Sequence, residues 1–220
     1  MGLFRLDSSI QGARSTSKAI ADTTEQAWMA LRPGVPVIRR DLAADPVPAV
    51  AWPIAVAARG IEPSSRTAQQ EAAFALSHRL ADELIFAEAY ILATPLYNWG
   101  VSEHVKTWID MVLLDPRFRP GEQPLAGRPA VLIVTRGGGY GPGTPKEGWD
   151  HATPYYRRIF GDLWGLDLHI NEIELTLAKV NPAMAALIPQ AERNLADGHA
   201  AGEWHGRLIA ERSAVTNPAA

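Results

Sequence analysis

Ala130-Val131-Leu132-Ile133-Val134 is an unbroken apolar run, and it limits the possible folds more than any other stretch of the chain. A strand that is apolar at every position has both faces covered, as happens inside a parallel sheet with helices on either side. The strand, residues 128–135, ends in Arg136-Gly137-Gly138-Gly139-Tyr140-Gly141-Pro142-Gly143. Glycines in series let backbone N–H groups approach a ligand closely. The Gly-x-Gly spacing follows a late strand and no helix opens directly behind it, so it does not read as a dinucleotide fingerprint.

The other segments alternate in the way such a sheet requires. Residues 2–6 form a first strand that runs into a polar segment, residues 7–17, and a helix from Ser17 or Lys18 to Leu31. Ser9, Ser15, Thr16 and Ser17 stand where the first strand meets the first helix, beside the unpaired N–H groups of a helix N-terminus. One serine there reads as an N-cap, but four hydroxyls exceed what capping needs and suit a phosphate. The glycines and lysine of a Walker A loop are missing, which argues against a nucleoside triphosphate with magnesium. Residues 35–42 read as a second strand, with Pro36 pointing to an edge position. Residues 43–66 carry four prolines and no clear period, and read as a long functional or interfacial loop.

Residues 67–86 read as a helix and residues 88–93 as a third strand, expected to break at Thr94-Pro95 because proline restricts both itself and the residue before it. The loop that follows carries Leu96, Tyr97, Asn98 and Trp99, an apolar, aromatic and amide set that suits a flat heteroaromatic ligand. Val101, Val105, Trp108, Ile109 and Val112 then make one helical stripe. A helix over 153–164, a strand over 167–174 and C-terminal helical segments complete the chain, with a frayed end at Asn217-Pro218-Ala219-Ala220. The expected fold is α/β, a doubly wound five-stranded parallel sheet in the flavodoxin-like order 2-1-3-4-5, in a single domain over 1–220. That order brings the loops after strands one, three and four to one switch point, where open α/β sheets bind ligands.

Composition narrows the function. With 47% hydrophobic and 20% charged residues, 220 residues suffice for one domain with its own core. A net charge of -3 and the lack of any basic run argue against nucleic acid. The absence of cysteine excludes disulfides, thiol nucleophiles and cysteine-ligated metals. The six histidines show no zinc-type spacing, so no metal is expected. No Gly-x-Ser-x-Gly elbow supports a serine hydrolase. With no signal-peptide core and no stretch long enough to span a bilayer, a soluble cytoplasmic protein is the expectation.

Asp7-Ser8-Ser9-Ile10, Ser15-Thr16-Ser17, residues 39–43, Pro95-Leu96-Tyr97-Asn98-Trp99, Thr135-Arg136-Gly137-Gly138, residues 106–110 and Asp150 with Thr153-Pro154-Tyr155 together resemble one family over nearly the whole chain. It is that of the FMN-dependent NADH:quinone and azo-compound reductases of flavodoxin-like fold. The resemblance implies bound FMN, NADH or NADPH as co-substrate, a quinone, azo or nitroaromatic acceptor, and a homodimer. Ser9, Ser15, Thr16 and Ser17 would hold the phosphate and ribityl chain, while Leu96 to Trp99 and Thr135 to Gly138 would line the isoalloxazine. Catalysis would be centred on the flavin and its neighbours; Tyr97 and Asn98 are candidates to polarise flavin or acceptor, with a purely packing tyrosine as the other reading. Trp99 replaces the family's phenylalanine and is expected to narrow the pocket. Phe118-Arg119 matches a loop that in the family reaches the partner's flavin, although here it is short. The rival reading is a flavodoxin, an electron carrier without its own NAD(P)H-dependent activity. The near-neutral charge and residues 43–66 speak against it.

Overall fold

A computed structural model describes residues 2–216; the expected frayed end lies outside the described residues. The strands are β1 (Gly2–Asp7), β2 (Val37–Asp41), β3 (Ala87–Pro95), β4 (Pro129–Thr135) and β5 (Asp167–Ile173). They pair in parallel throughout, in the order β2-β1-β3-β4-β5. The helices are α1 (Thr16–Leu31), α2 (Ala51–Ala57), α3 (Ala68–Phe86), α4 (Glu103–Val112), α5 (Thr153–Tyr156) and α6 (Ile188–Thr216). The sheet therefore has the expected order, with β2 at its edge.

Side chains alternate between two cores, as a strand with both faces buried requires. Phe4, Leu6, Tyr90, Leu92, Ala130, Leu132 and Val134 meet α2, α3, α4 and α5 on one face, with Trp108 and Ile109 of the predicted stripe among them. Leu3, Ala89, Ile91, Val131 and Ile133 meet Ile20 and Trp28 of α1 and Ile209 of α6 on the other. Helices α1 and α6 cross closely because Gly202 and Gly206 face α1: a Cβ on Gly206 would lie 2.3 Å from the Thr24 carbonyl oxygen. Helix starts follow local chemistry. Ser15 caps α1 by accepting from the Lys18 N–H at 3.2 Å, and Thr67 with Gln70 forms a reciprocal capping box at α3.

Four expectations are corrected. β3 does not break before Pro95 but runs through it, because the Leu96 N–H donates to the Thr135 carbonyl at 2.8 Å and carries the pairing past the proline. The N–H that Pro95 lacks would face β1, which has already ended at Asp7. The second strand is shorter than residues 35–42, because the Pro36 carbonyl accepts from Leu3 but Pro36 itself has no N–H to donate. Residues 43–66 are not one long loop, since α2 and a 3-10 turn at Pro63–Ser65 lie within them.

The fourth correction is the expected helix over 153–164, which has α geometry only over α5 and continues as a π-helix over Arg157–Leu163. Its wider turn, closed by Trp164 N–H to the Ile159 carbonyl, places Trp164 edge-on to Trp108 and Phe118 at centroid distances of 5.5 and 5.2 Å. Phe118 is fully buried in this cluster, so its ring is not available to a neighbouring chain.

Candidate functional site

The loops after β1, β3 and β4 meet at the carboxyl edge of the sheet, and one hydroxyl joins two of them. Tyr97 Oη accepts from the Ile10 N–H at 3.3 Å and lies 3.3 Å from Ser9 Oγ. Between the loops is a crevice of about 390 Å³ lined by Ser9, Ser15, Thr16, Leu96, Tyr97, Thr135 and Gly137, all of them singled out from the sequence. Ser17, Asn98, Trp99, Arg136 and Gly138 do not line it.

At its α1 end the crevice is built for an anion. The N–H groups of Thr16 and Ser17 open the helix and donate to no acceptor among the described residues. Ser15 Oγ, engaged with Lys18 N–H, also lies 3.1 Å from the buried Ser17 Oγ. Arg14 lines the same end and has no carboxylate partner among the described residues. Sequence reasoning missed Arg14 and Gln11, although both stand inside the polar segment it named.

At its other end the crevice is apolar and flat-sided. Leu96 and Tyr97 face Leu177 and Val180, which come from the loop after β5. That loop was also missed, and the rule that ligands sit at the carboxyl ends of strands was the signal for it. The Gly137 and Gly138 carbonyls are held by the N–H groups of Leu177 and Leu175, while the N–H groups of both glycines donate to nothing among the described residues. A Cβ at Gly137 would stand 2.6 Å from Leu177 Cδ1, so the Leu177 side chain would have to shift to admit one.

Arg136 has a different surrounding. Its buried guanidinium contacts Asp150 at 2.5 Å, Glu172 at 2.9 Å and Glu174 at 3.3 Å. Its own N–H and carbonyl bond Ile173 and Thr176. Burial alone would raise the Asp150 carboxyl, but hydrogen bonds from Thr153 and the charge of Arg136 hold it below the ordinary carboxylate range. Glu174 also accepts from the Tyr140 N–H at 2.9 Å, so this cluster ties the glycine loop to β5.

Asn98 and Trp99 have φ of 48° and 62°, both left-handed. Such two-residue turns favour Asn-Gly, and a bulky residue there costs about 1–2 kcal/mol. The Trp99 carbonyl accepts from His151 N–H at 2.9 Å, and its ring, 43% exposed, stands edge-on to Trp149 at 5.8 Å. Trp99 is not among the residues that line the crevice.

A family model described as flavodoxin-like fold matches residues 1–195. An FMN-dependent NADH:quinone oxidoreductase of Frankia casuarinae is 37% identical over 202 residues, 90% of this chain and 95% of that protein. One of Streptomyces coelicolor is 37% identical over 98% of both chains. Among solved structures, an FMN-dependent NADH-azoreductase of Bacillus anthracis in complex with FMN superposes with a TM-score of 0.74 at 17% identity, covering 96% of this chain and 100% of that one. The azoreductase AzrA gives 0.74 at 18% identity over 94% and 99%. Among the described residues no helix is long and apolar enough to cross a membrane, and no cluster of acidic and histidine side chains could hold a metal ion.

Proposed function

The chain belongs to the flavodoxin-like-fold family of FMN-dependent NADH:quinone oxidoreductases, and from that premise we propose that its switch-point crevice is the FMN site of an NADH-dependent reductase of quinones and azo compounds. The observation that carries this reading is the pairing, across one crevice, of two sets of unpaired N–H groups. The Thr16 N–H at the start of α1, with Ser17 N–H next to it in the chain, suits a phosphate, and the Gly137 N–H, with Gly138 following it, suits the polar edge of a ring that would lie on Leu96 and Tyr97. The donor set therefore fits FMN, and Arg14 supplies a cation for the phosphate end.

FMN, when bound, supplies the two-electron chemistry. The protein's share is to hold the cofactor, to offer fixed N–H donors where negative charge accumulates, and to leave one side of the ring open. Tyr97 Oη is engaged with Ile10 N–H and Ser9, which supports a positioning role that fixes the first loop against the third. Asn98, next to Tyr97 in the chain, has an exposed side chain and is the amide we propose to polarise flavin or acceptor.

A purified protein with a flavin absorbance spectrum that consumes NADH only when a quinone is present tests the reading; a spectrum without flavin bands overturns it. A flavodoxin-type carrier would bind FMN but leave NADH unconsumed. Donor and acceptor would share one opening and occupy it in turn, so double-reciprocal plots should be parallel; intersecting lines would mean a separate nicotinamide site. Which nicotinamide is preferred is read in the same assay.

A homodimer is part of the proposal. Val50 and Trp52, 64% and 42% exposed, form an apolar surface on α2 and its start, and the family resemblance implies pairing. Sedimentation should give twice the mass of one chain at micromolar concentration. A fully active monomer would sink the idea. We place the reaction in the cytoplasm, where reduced nicotinamide is supplied.

A further inference from the structure

The glycine loop after β4 carries a cation with no counter-ion. Lys146 is half-buried, and its ammonium stands 5.5 Å from the centroid of the Tyr140 ring. The same ammonium lies 3.7 Å from the point where a Cβ on Gly138 would be, which places it beside the residue that follows Gly137. A series of turns presents it. Thr144 donates to the Gly141 carbonyl through both its N–H and its Oγ1, Glu147 N–H donates to the Thr144 carbonyl, and Trp149 N–H donates to the carbonyl of Lys146 itself.

The anions of this region are committed elsewhere. Asp150, Glu172 and Glu174 contact Arg136, and Glu147 accepts from the Gly143 N–H at 2.8 Å. Lys146 has no carboxylate or hydrogen-bond partner for its ammonium among the described residues. Its charge therefore stays uncompensated, and a charge partly withdrawn from water acts over several ångströms because little solvent screens it. Gly137 lines the crevice but Gly138 and Lys146 do not, so the ammonium is placed to act across the loop backbone as a charge and not as a direct hydrogen-bond donor.

We propose that Lys146 tunes the redox potential of the flavin by favouring its reduced form. The inference rests on the reading of the crevice as the FMN site. NADH is oxidised to NAD+ by giving up two electrons and one proton, and a ring that takes up both gains one negative charge. The oxidised ring is neutral. A cation beside the polar edge of the ring thus stabilises the reduced state more than the oxidised one and raises the potential.

The test is the two-electron midpoint potential of the FMN-loaded protein, measured by dye equilibration, together with the affinity of the apoprotein for oxidised FMN. Lys146→Gln should bind oxidised FMN within about twofold of the wild type and reduced FMN about tenfold more weakly. For a two-electron couple that factor lowers the potential by about 30 mV. Lys146→Arg keeps the charge and should restore the wild-type potential. If the lysine only packs the loop, Lys146→Gln weakens oxidised and reduced FMN alike and the potential stays where it was, which overturns the proposal. A potential that falls equally in Lys146→Arg overturns it too, because the charge would then not be the cause. A wild-type protein that binds no FMN removes the reading of the crevice and this inference with it, whereas a flavin-bearing wild type whose Lys146→Gln variant keeps its potential removes this inference alone.

Discussion

Ser15→Asp should fold at least as well as the wild type and lose its FMN. Aspartate caps helices as well as serine does and complements the dipole of α1, so the Lys18 N–H that Ser15 Oγ now holds at 3.2 Å keeps an acceptor. The same carboxylate stands beside Ser17 Oγ and the unpaired N–H groups of Thr16 and Ser17, where the phosphate is proposed to sit. Losing one charge-assisted hydrogen bond costs about 1.5–3 kcal/mol, roughly ten- to a hundredfold in affinity, and repulsion between like charges adds to it. The loss should be larger at low ionic strength, where repulsion is least screened. If Ser15 only caps the helix, Ser15→Ala should cost about 1 kcal/mol of folding stability, and neither variant should change FMN affinity. Titrating FMN into each apoprotein by flavin fluorescence separates the two roles, and wild-type affinity in Ser15→Asp would move the phosphate elsewhere.

Ser15 was legible because a helix N-terminus and a hydroxyl cluster are both local in sequence, and the sheet order was legible because strands buried on two faces show as apolar runs. What the sequence hid is non-local. Leu177 covers Gly137 from a loop forty residues away, and its own neighbours carry no periodic pattern. Helix α2 is only seven residues long and contains Pro53, so residues 43–66 looked structureless. The pairing beyond Pro95 depends on where β1 stops, which no property of residues 88–96 encodes. Trp99 shows the limit most clearly: its residue type suggested a pocket wall, but its left-handed backbone and its edge-on contact with Trp149 were not legible in the sequence.

Arg136 is the residue whose role the structure redefines, and its removal should give the largest loss of stability. From the Arg-Gly-Gly motif it reads as a cofactor contact, yet its guanidinium is enclosed by Asp150, Glu172 and Glu174 and its backbone is committed to Ile173 and Thr176. Glu172 and Glu174, two apart at the end of β5, are on the same side of the strand next to β4, which was a signal available in the sequence. Arg136→Gln would leave three carboxylates around a neutral group, and breaking a buried ion cluster by removing one partner costs about 3–5 kcal/mol. Arg136→Lys should fall between, because a single ammonium cannot serve three carboxylates as a planar fork does.

The pH dependence has a definite sign. The folded-state pKa of Asp150 lies below its ordinary value, so its contribution is fully present above the unfolded pKa of about 4 and is lost as pH falls through the folded value. The gap between wild type and Arg136→Gln should therefore be widest near neutrality and shrink below about pH 4. Urea unfolding of the FMN-free proteins at both pH values measures it, and an unchanged midpoint at pH 7 would refute the structural role. Because the cluster holds Tyr140 and the glycine loop in place, FMN affinity should fall together with stability. A variant that keeps its unfolding midpoint but loses FMN would instead mean that Arg136 touches the cofactor directly.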